Sequence, residues 1–164
     1  MKQQKERVEK ILEMNDVRIV FRNFAGRGGT YNRDGDRNFA VVIEEEEVAK
    51  GLYDDGWNVK MKEPQEEGDS PFCFLTVKVK FNQENPGLNP KIYMRSGKKM
   101  VPLNEDTINI LDDIEIESVD LDIRPYNYDV NGKTGVSAYL LSICVTQKVD
   151  RFMAKYAEEE YPQE

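Results

Sequence analysis

Between residues 72 and 81 the side-chain types alternate, and alternation on a strand sorts them onto two faces. Cys73, Leu75, Val77, Val79 and Phe81 fall on one face and read as core. Phe72, Phe74, Thr76, Lys78 and Lys80 fall on the other. Aromatic rings stack on bases and ammonium groups neutralise phosphates, so this second row has the chemistry of a nucleic-acid contact. The plainer alternative is a second packing layer, with both phenylalanines under a neighbouring helix and the lysines solvated.

The pattern recurs. In Lys91–Arg95, Ile92 and Met94 face one way while Lys91, Tyr93 and Arg95 face the other, an aromatic between two cations. In Val17–Arg22, Val17, Ile19 and Phe21 share a face, opposite Arg18, Val20 and Arg22. The segment 26–37 holds four glycines with Arg27, Tyr31, Arg33 and Arg37. Glycines let a backbone approach a phosphate closely, and arginines bind phosphates or stack on bases. No Gly-Lys-Ser/Thr follows, so this is no P-loop, and a solvated hairpin tip is the competing reading. Tyr126 and Tyr128 share a face beside Lys133 and offer a stacking platform, or else cover a barrel end with their hydroxyls in water. Trp57 follows Gly56 and reads as a core plug after a helix stop.

Other chemistries are poorly supplied. Histidine is absent, which removes His-dependent triads and His-ligated metals. Two cysteines, Cys73 and Cys144, are too few for a disulfide framework or a cysteine zinc site. Asp120 and Asp122 share a strand face and could hold a divalent ion in a metal-dependent nuclease, but no flanking nucleophile or further signature accompanies them. No catalysis and no cofactor are expected. No apolar run reaches the ~18 residues of a membrane span, and the N-terminal residues do not form an apolar leader, so a reducing cytoplasm is the expected compartment.

The net charge of −8 argues against a polyanionic partner when taken whole. In segments it does not. Residues 71–103 carry six basic and one acidic side chain, whereas residues 104–123 carry eight acids and no base. A folded chain can therefore present a basic face on an acidic body.

These rows need strands to hold them. The 164 residues suit one domain. Strands are expected over 17–22, 38–43, 57–61, 72–81, 91–95, 100–103, 118–124 and 136–146. Helices are expected over 5–14, 44–55 with a stop at Gly56, and from an Asn104 cap through Leu111. Asn131-Gly132 marks a type I′ hairpin, and 152–160 suits a short helix before an acidic tail, 157–164. Strands in series with helices set among them favour a mostly β, mostly antiparallel Greek-key barrel of five or six main strands, or a sandwich. The expected divisions are an N-terminal helix, 1–16, a barrel domain, 17–148, and a helix with acidic tail, 149–164.

Several runs are similar to a known family. Phe21-Arg22-Asn23-Phe24-Ala25-Gly26, the Tyr31–Gly35 turn and Arg37-Asn38-Phe39 resemble the start of phage-encoded single-stranded-DNA-binding proteins. Asp55-Gly56-Trp57-Asn58-Val59-Lys60, Pro90-Lys91-Ile92, Arg124–Tyr128, Val130–Val136 and Ala138-Tyr139 extend the resemblance from Val17 to Thr146. It implies an OB fold, a five-stranded Greek-key barrel here carrying helical insertions and a short N-terminal helix. It also implies binding of single strands without strong sequence preference during phage replication or recombination. The tail departs from the family pattern: Tyr161 is followed by Pro162-Gln163-Glu164 where an apolar or aromatic end is expected.

On this reading Arg18, Arg22, Lys78, Lys80, Lys91 and Arg95 contact phosphates, and Phe74, Tyr93 and Tyr126 or Tyr128 stack bases. Phe72, Arg27, Tyr31, Arg33, Arg37 and Lys133 complete the expected interface. The acidic tail reads first as solubilising sequence, and in the alternative as a contact for replication or recombination proteins. The 82–90 loop and the N-terminal helix could serve a homo-oligomer. The competing reading is an acidic interaction module or inhibitor of a host factor, built on the acidic blocks.

Overall fold

The computed structural model describes residues 7–64 and 66–149. Nine strands form one sheet: β1 (Leu12–Val17), β2 (Ile19–Asn23), β3 (Arg37–Ile43), β4 (Val59–Lys62), β5 (Phe72–Val79), β6 (Lys91–Ser96), β7 (Lys99–Leu103), β8 (Ile116–Val130) and β9 (Lys133–Gln147). Helix α1 (Glu46–Asp55) is inserted between β3 and β4. The sheet runs β1-β8-β9-β5-β3-β2, with β4 added to β5 and the β6–β7 hairpin added to β9. The pairs β5–β9 and β6–β9 are parallel and the others antiparallel.

This is the expected mostly β, OB-like architecture with a helical insertion. Its detail differs from a simple five-stranded barrel, because the sheet has nine strands and its path is not closed. The extra strands come from splitting and extension. Arg18 separates β1 from β2, and β8 and β9 each run 15 residues to the hairpin turn. At that turn Asn131 and Gly132 have φ of 53° and 81°, as a type I′ turn requires.

The helix expected over 5–14 does not form among the described residues. Leu12–Val17 is a strand antiparallel to β8, with Leu12 opposite Ile123 and Met14 opposite Leu121. Upstream, the Asn127 side chain takes the place of a strand: its Oδ1 accepts the Val8 N–H at 2.9 Å and its Nδ2 donates to the Val8 carbonyl at 2.7 Å. Three apolar residues over so short a run do not fix a period, and the long β8 edge supplies backbone partners that an isolated helix lacks. The helix expected from Asn104 is instead a turn followed by a 3₁₀ segment, Ile108–Asp112. The Asn104 side chain closes that turn instead of capping a helix, accepting the Asp106 and Thr107 N–H groups.

Helix α1 forms as expected, with Glu46 and Glu47 at its positive end and Gly56 at φ 106° closing it. Ala49 and Leu52 turn into the core, and Trp57, 3% exposed, plugs it. One side of the sheet supplies that core: Phe39, Val41 and Ile43 from β3 lie against Leu75, Val77 and Val79 from β5. Alternation therefore leaves Phe72, Phe74, Thr76, Lys78 and Lys80 on the outward side, as the sequence pattern required. The segment expected to be a C-terminal helix, 152–160, and the acidic tail lie outside the described residues.

Candidate nucleic-acid interface

The outward side of β5, β9 and β8 centres on Tyr139. Parallel pairing sets Lys78 beside it on β5, and antiparallel pairing sets Arg124 opposite it on β8. The Lys78 and Lys80 ammonium groups stand 5.7 and 5.8 Å from the Tyr139 ring centre, and the Arg124 guanidinium stands at 5.5 Å. Tyr126, 53% exposed, meets the same ring edge-on at 5.7 Å. Each exposed cation–π contact is worth roughly 0.5–1 kcal/mol, and three cations at one ring make a local positive patch. Such a patch has the chemistry to take phosphates, and the two tyrosine rings beside it have the chemistry to stack bases.

The surface continues on both sides of this centre. Towards the hairpin, Tyr128 lies over Gly135 and donates its hydroxyl to Asn58 Oδ1 at 3.1 Å. A groove lined by Asn58, Lys60, Thr76, Lys78 and Tyr128 joins the two regions. On the other side a polar groove is lined by Arg33, Arg37, Lys78 and Lys80, with Asp36 and Glu105 among them. Along β5, Phe74 and Phe72 are half-buried, flanked across the β4 pairing by Lys60 and Lys62.

The 24–37 loop is ordered at its base and open at its tip. The Asp112 carboxylate accepts the Phe24 and Ala25 N–H groups at 2.7 and 2.9 Å. Phe24 is fully buried and stacks on Phe39 with ring centres 5.0 Å apart. Gly26 at φ 70° faces Gly35, and a Cβ on Gly26 would meet the Gly35 carbonyl carbon at 3.0 Å. The Asn32 Nδ2 gathers the Arg27, Arg33 and Asp36 carbonyls. Exposed at the tip are Arg27, Arg33 and a fully exposed Tyr31, together with Asp34 and Asp36.

A family model for the phage ssDNA-binding domain matches residues 1–163, nearly the whole chain. The chain belongs to that family. It is a phage single-stranded-DNA-binding domain, from a family of binding proteins rather than enzymes. Its fold is similar to the single-stranded DNA-binding protein from bacteriophage Enc34. A C-terminal truncation of that protein is 12% identical, with a TM-score of 0.52 over 92% of this chain and 98% of that one. The same protein in complex with ssDNA is 12% identical, with a TM-score of 0.54 over 87% of this chain and 89% of that one. At such identities the likeness speaks for the fold. No curated protein matches in sequence.

Within the phage ssDNA-binding domain, the expected interface residues separate into groups. Lys78, Lys80, Tyr126 and Tyr128 come together around Tyr139 and Gly135. Phe72 and Phe74 join the same outward face, and Arg18 lines a groove with Phe72 and Lys60. Lys133 sits at the hairpin end and is exposed. Arg22 is held elsewhere: its Nη1 donates to the Leu111 and Ile114 carbonyls at 2.7 Å each. Arg37 donates to the Phe24 carbonyl at 2.6 Å and lies 5.5 Å from the Phe81 ring centre, so it braces the loop base. Lys91, Tyr93 and Arg95 do share an exposed face on β6. Their neighbours across β9 are acidic, since Ser142 and Cys144 pair with Lys91 and Tyr93 on one side and Asp122 and Asp120 on the other.

Asp120 and Asp122 themselves are engaged. Asp120 accepts the Asp16 N–H at 2.8 Å and Asp122 accepts the Ser142 hydroxyl at 3.0 Å. Among the described residues no cluster of acids and cysteines is able to hold a metal ion. No described helix is long and apolar enough to cross a membrane.

Three residues on this outward face were not among those expected from the sequence: Tyr139, Arg124 and Phe21. Tyr139 had a signal, because Val136, Ala138 and Leu140 alternate inward and leave Ser137 and Tyr139 outward. Arg124 is the β8 residue opposite it, legible once the Asn131-Gly132 turn fixes the register. Phe21 had none. It was expected to share a face with Val17 and Ile19, yet Ile19 is buried and Phe21 is 52% exposed.

Proposed function

We propose that single-stranded DNA crosses the outward face of β5, β9 and β8, with Tyr139 at the centre of its path. Lys78, Lys80 and Arg124 take phosphates, and Tyr139 and Tyr126 stack bases. The observation that carries this is the gathering of three cations and a second tyrosine around one half-buried ring. Every base has a π-face, so stacking of this kind tolerates sequence. The protein coats single strands without strong sequence preference and keeps them free of hairpins during phage replication or recombination, in the host cytoplasm. The acidic segment 157–164 is the assigned contact for replication or recombination proteins, supported by Glu158, Glu159 and Glu160.

The test is a fluorescence-anisotropy titration of labelled oligo-dT, with a duplex of equal length as competitor. Wild-type protein binds the single strand and prefers it. Tyr139→Ala weakens binding by roughly 5- to 150-fold, the worth of one stacked base. Tyr139→Phe, which keeps the ring, stays near wild type. Unchanged affinity in Tyr139→Ala overturns the reading.

A further inference from the structure

A single backbone irregularity sends Phe21 to the outside. Val20 pairs with Ala40 and Asn23 with Asn38, so two β2 residues, Phe21 and Arg22, oppose one β3 residue, Phe39. This is a β-bulge, and Phe21 occupies it at φ 53°, a left-handed conformation that glycine ordinarily takes. The bulge reverses the side-chain alternation. Arg22 turns towards the Leu111 and Ile114 carbonyls, and Phe21 turns onto the outward face.

There Phe21 completes a triangle of rings. Its centre is 5.3 Å from Phe74, nearly edge-on at 77°, and 6.3 Å from Phe72. Phe72 and Phe74 are 6.1 Å apart. Lys60 and Lys62 pair with Phe74 and Phe72 across β4 and stand on the same face. Three phenylalanines outside a filled core, one in a backbone conformation that disfavours any side chain, mark a surface kept for binding. The mixture of rings and cations repeats the Tyr139 cluster, and the outward row of β5 links them: Phe72, Phe74, Thr76, Lys78. From Phe74 to Lys78 is about 13 Å at the rise of a strand.

We infer that Phe21, Phe72 and Phe74, with Lys60 and Lys62, form a second stacking subsite for the same DNA strand, reached only by strands long enough to extend from Tyr139 along β5. This rests on the path proposed above. It assigns the patch to bases rather than to a protein partner, because Lys60 and Lys62 rim it at the strand pairings, Arg18, Lys50 and Lys60 outnumber Glu44 and Glu46 in the groove beside Phe72, and the outward row of β5 leads from it through Thr76 to Lys78.

The test uses the full chain and oligo-dT of graded length, roughly 4 to 16 nucleotides, the range of site sizes for one OB fold. The informative variant is Phe21→Gly, which removes the ring and relieves the backbone. In wild type, affinity rises with length until both subsites are filled. In Phe21→Gly the rise stops at a shorter length. Affinity for the longest strands falls roughly 5- to 150-fold, while the shortest strands bind as before. Phe72→Ala shows the same truncation, whereas Tyr139→Ala weakens strands of every length. Wild-type length dependence in Phe21→Gly and Phe72→Ala, with Tyr139→Ala weakened, overturns the second subsite and leaves the Tyr139 path standing. Equal losses at every length also overturn it. Wild-type affinity in Tyr139→Ala, with Phe21→Gly impaired, overturns the Tyr139 path itself.

Discussion

Tyr128 lies so close over Gly135 that a Cβ added there would sit 2.3 Å from the phenol oxygen and 2.6 Å from the ring carbon bearing it. The two residues are directly paired between β8 and β9. The missing side chain of one makes the slot for the other, and the Tyr128 hydroxyl then reaches Asn58. A glycine within a strand weakens the strand, and the ring laid across it restores the lost contact.

Gly135→Ala therefore forces the Tyr128 ring aside and breaks its hydrogen bond to Asn58. The expected loss is about 1–3 kcal/mol, as for other overpacked sites, read from chemical denaturation. The cost belongs to the clash, so it should nearly vanish in a Tyr128→Ala background. Additive losses in the double variant would show that Gly135 is needed for its backbone and not for the ring.

Arg22 and Lys78 both stood in the sequence as phosphate ligands, and the structure gives them different work. The Arg22 Nη1 is bonded to two backbone carbonyls of the 3₁₀ region, whereas Lys78 is exposed beside Tyr139. Arg22→Ala leaves those carbonyls without their donor and is expected to cost about 1–3 kcal/mol of stability, with DNA affinity near wild type once the protein is folded. Lys78→Ala is expected to change stability by less than about 0.5 kcal/mol and to weaken binding. Thermal unfolding and DNA titration of the two variants separate the roles; a folded Arg22→Ala protein that binds DNA poorly would return Arg22 to the interface.

That pair shows where the sequence was legible and where it was not. The β5 row of Phe72, Phe74, Lys78 and Lys80 was readable because period-two alternation survives in an unbroken strand. The Asn131-Gly132 turn was readable because its chemistry is local. The bulge in β2 was not, since a phenylalanine stands where bulge chemistry predicts glycine, and one extra residue exchanged the faces of Phe21 and Arg22. Nor was β1 readable, because its strand state depends on an edge of β8 more than 100 residues away. The acidic neighbours of Tyr93 were hidden for the same reason: Asp120 and Asp122 reach it only through the pairing of β8, β9 and β6.

Those neighbours make the last prediction. Binding to single strands releases about 0.7 counterion per phosphate neutralised, which sets the slope of log affinity against log salt. Lys78 and Lys80 stand with Arg124 in a cationic cluster. Replacing both with alanine should flatten the slope by roughly 1.4 between about 50 and 200 mM salt. Lys91 and Arg95 lie on a face shared with Asp120 and Asp122, whose charges oppose a phosphate there. The Lys91→Ala/Arg95→Ala double variant should therefore flatten the slope by clearly less, although it removes the same formal charge. Long-range attraction would respond equally to both pairs, because it depends on net charge. Equal slopes in the two double variants would thus mean that the strand feels the domain's overall charge and not the local cluster at Tyr139.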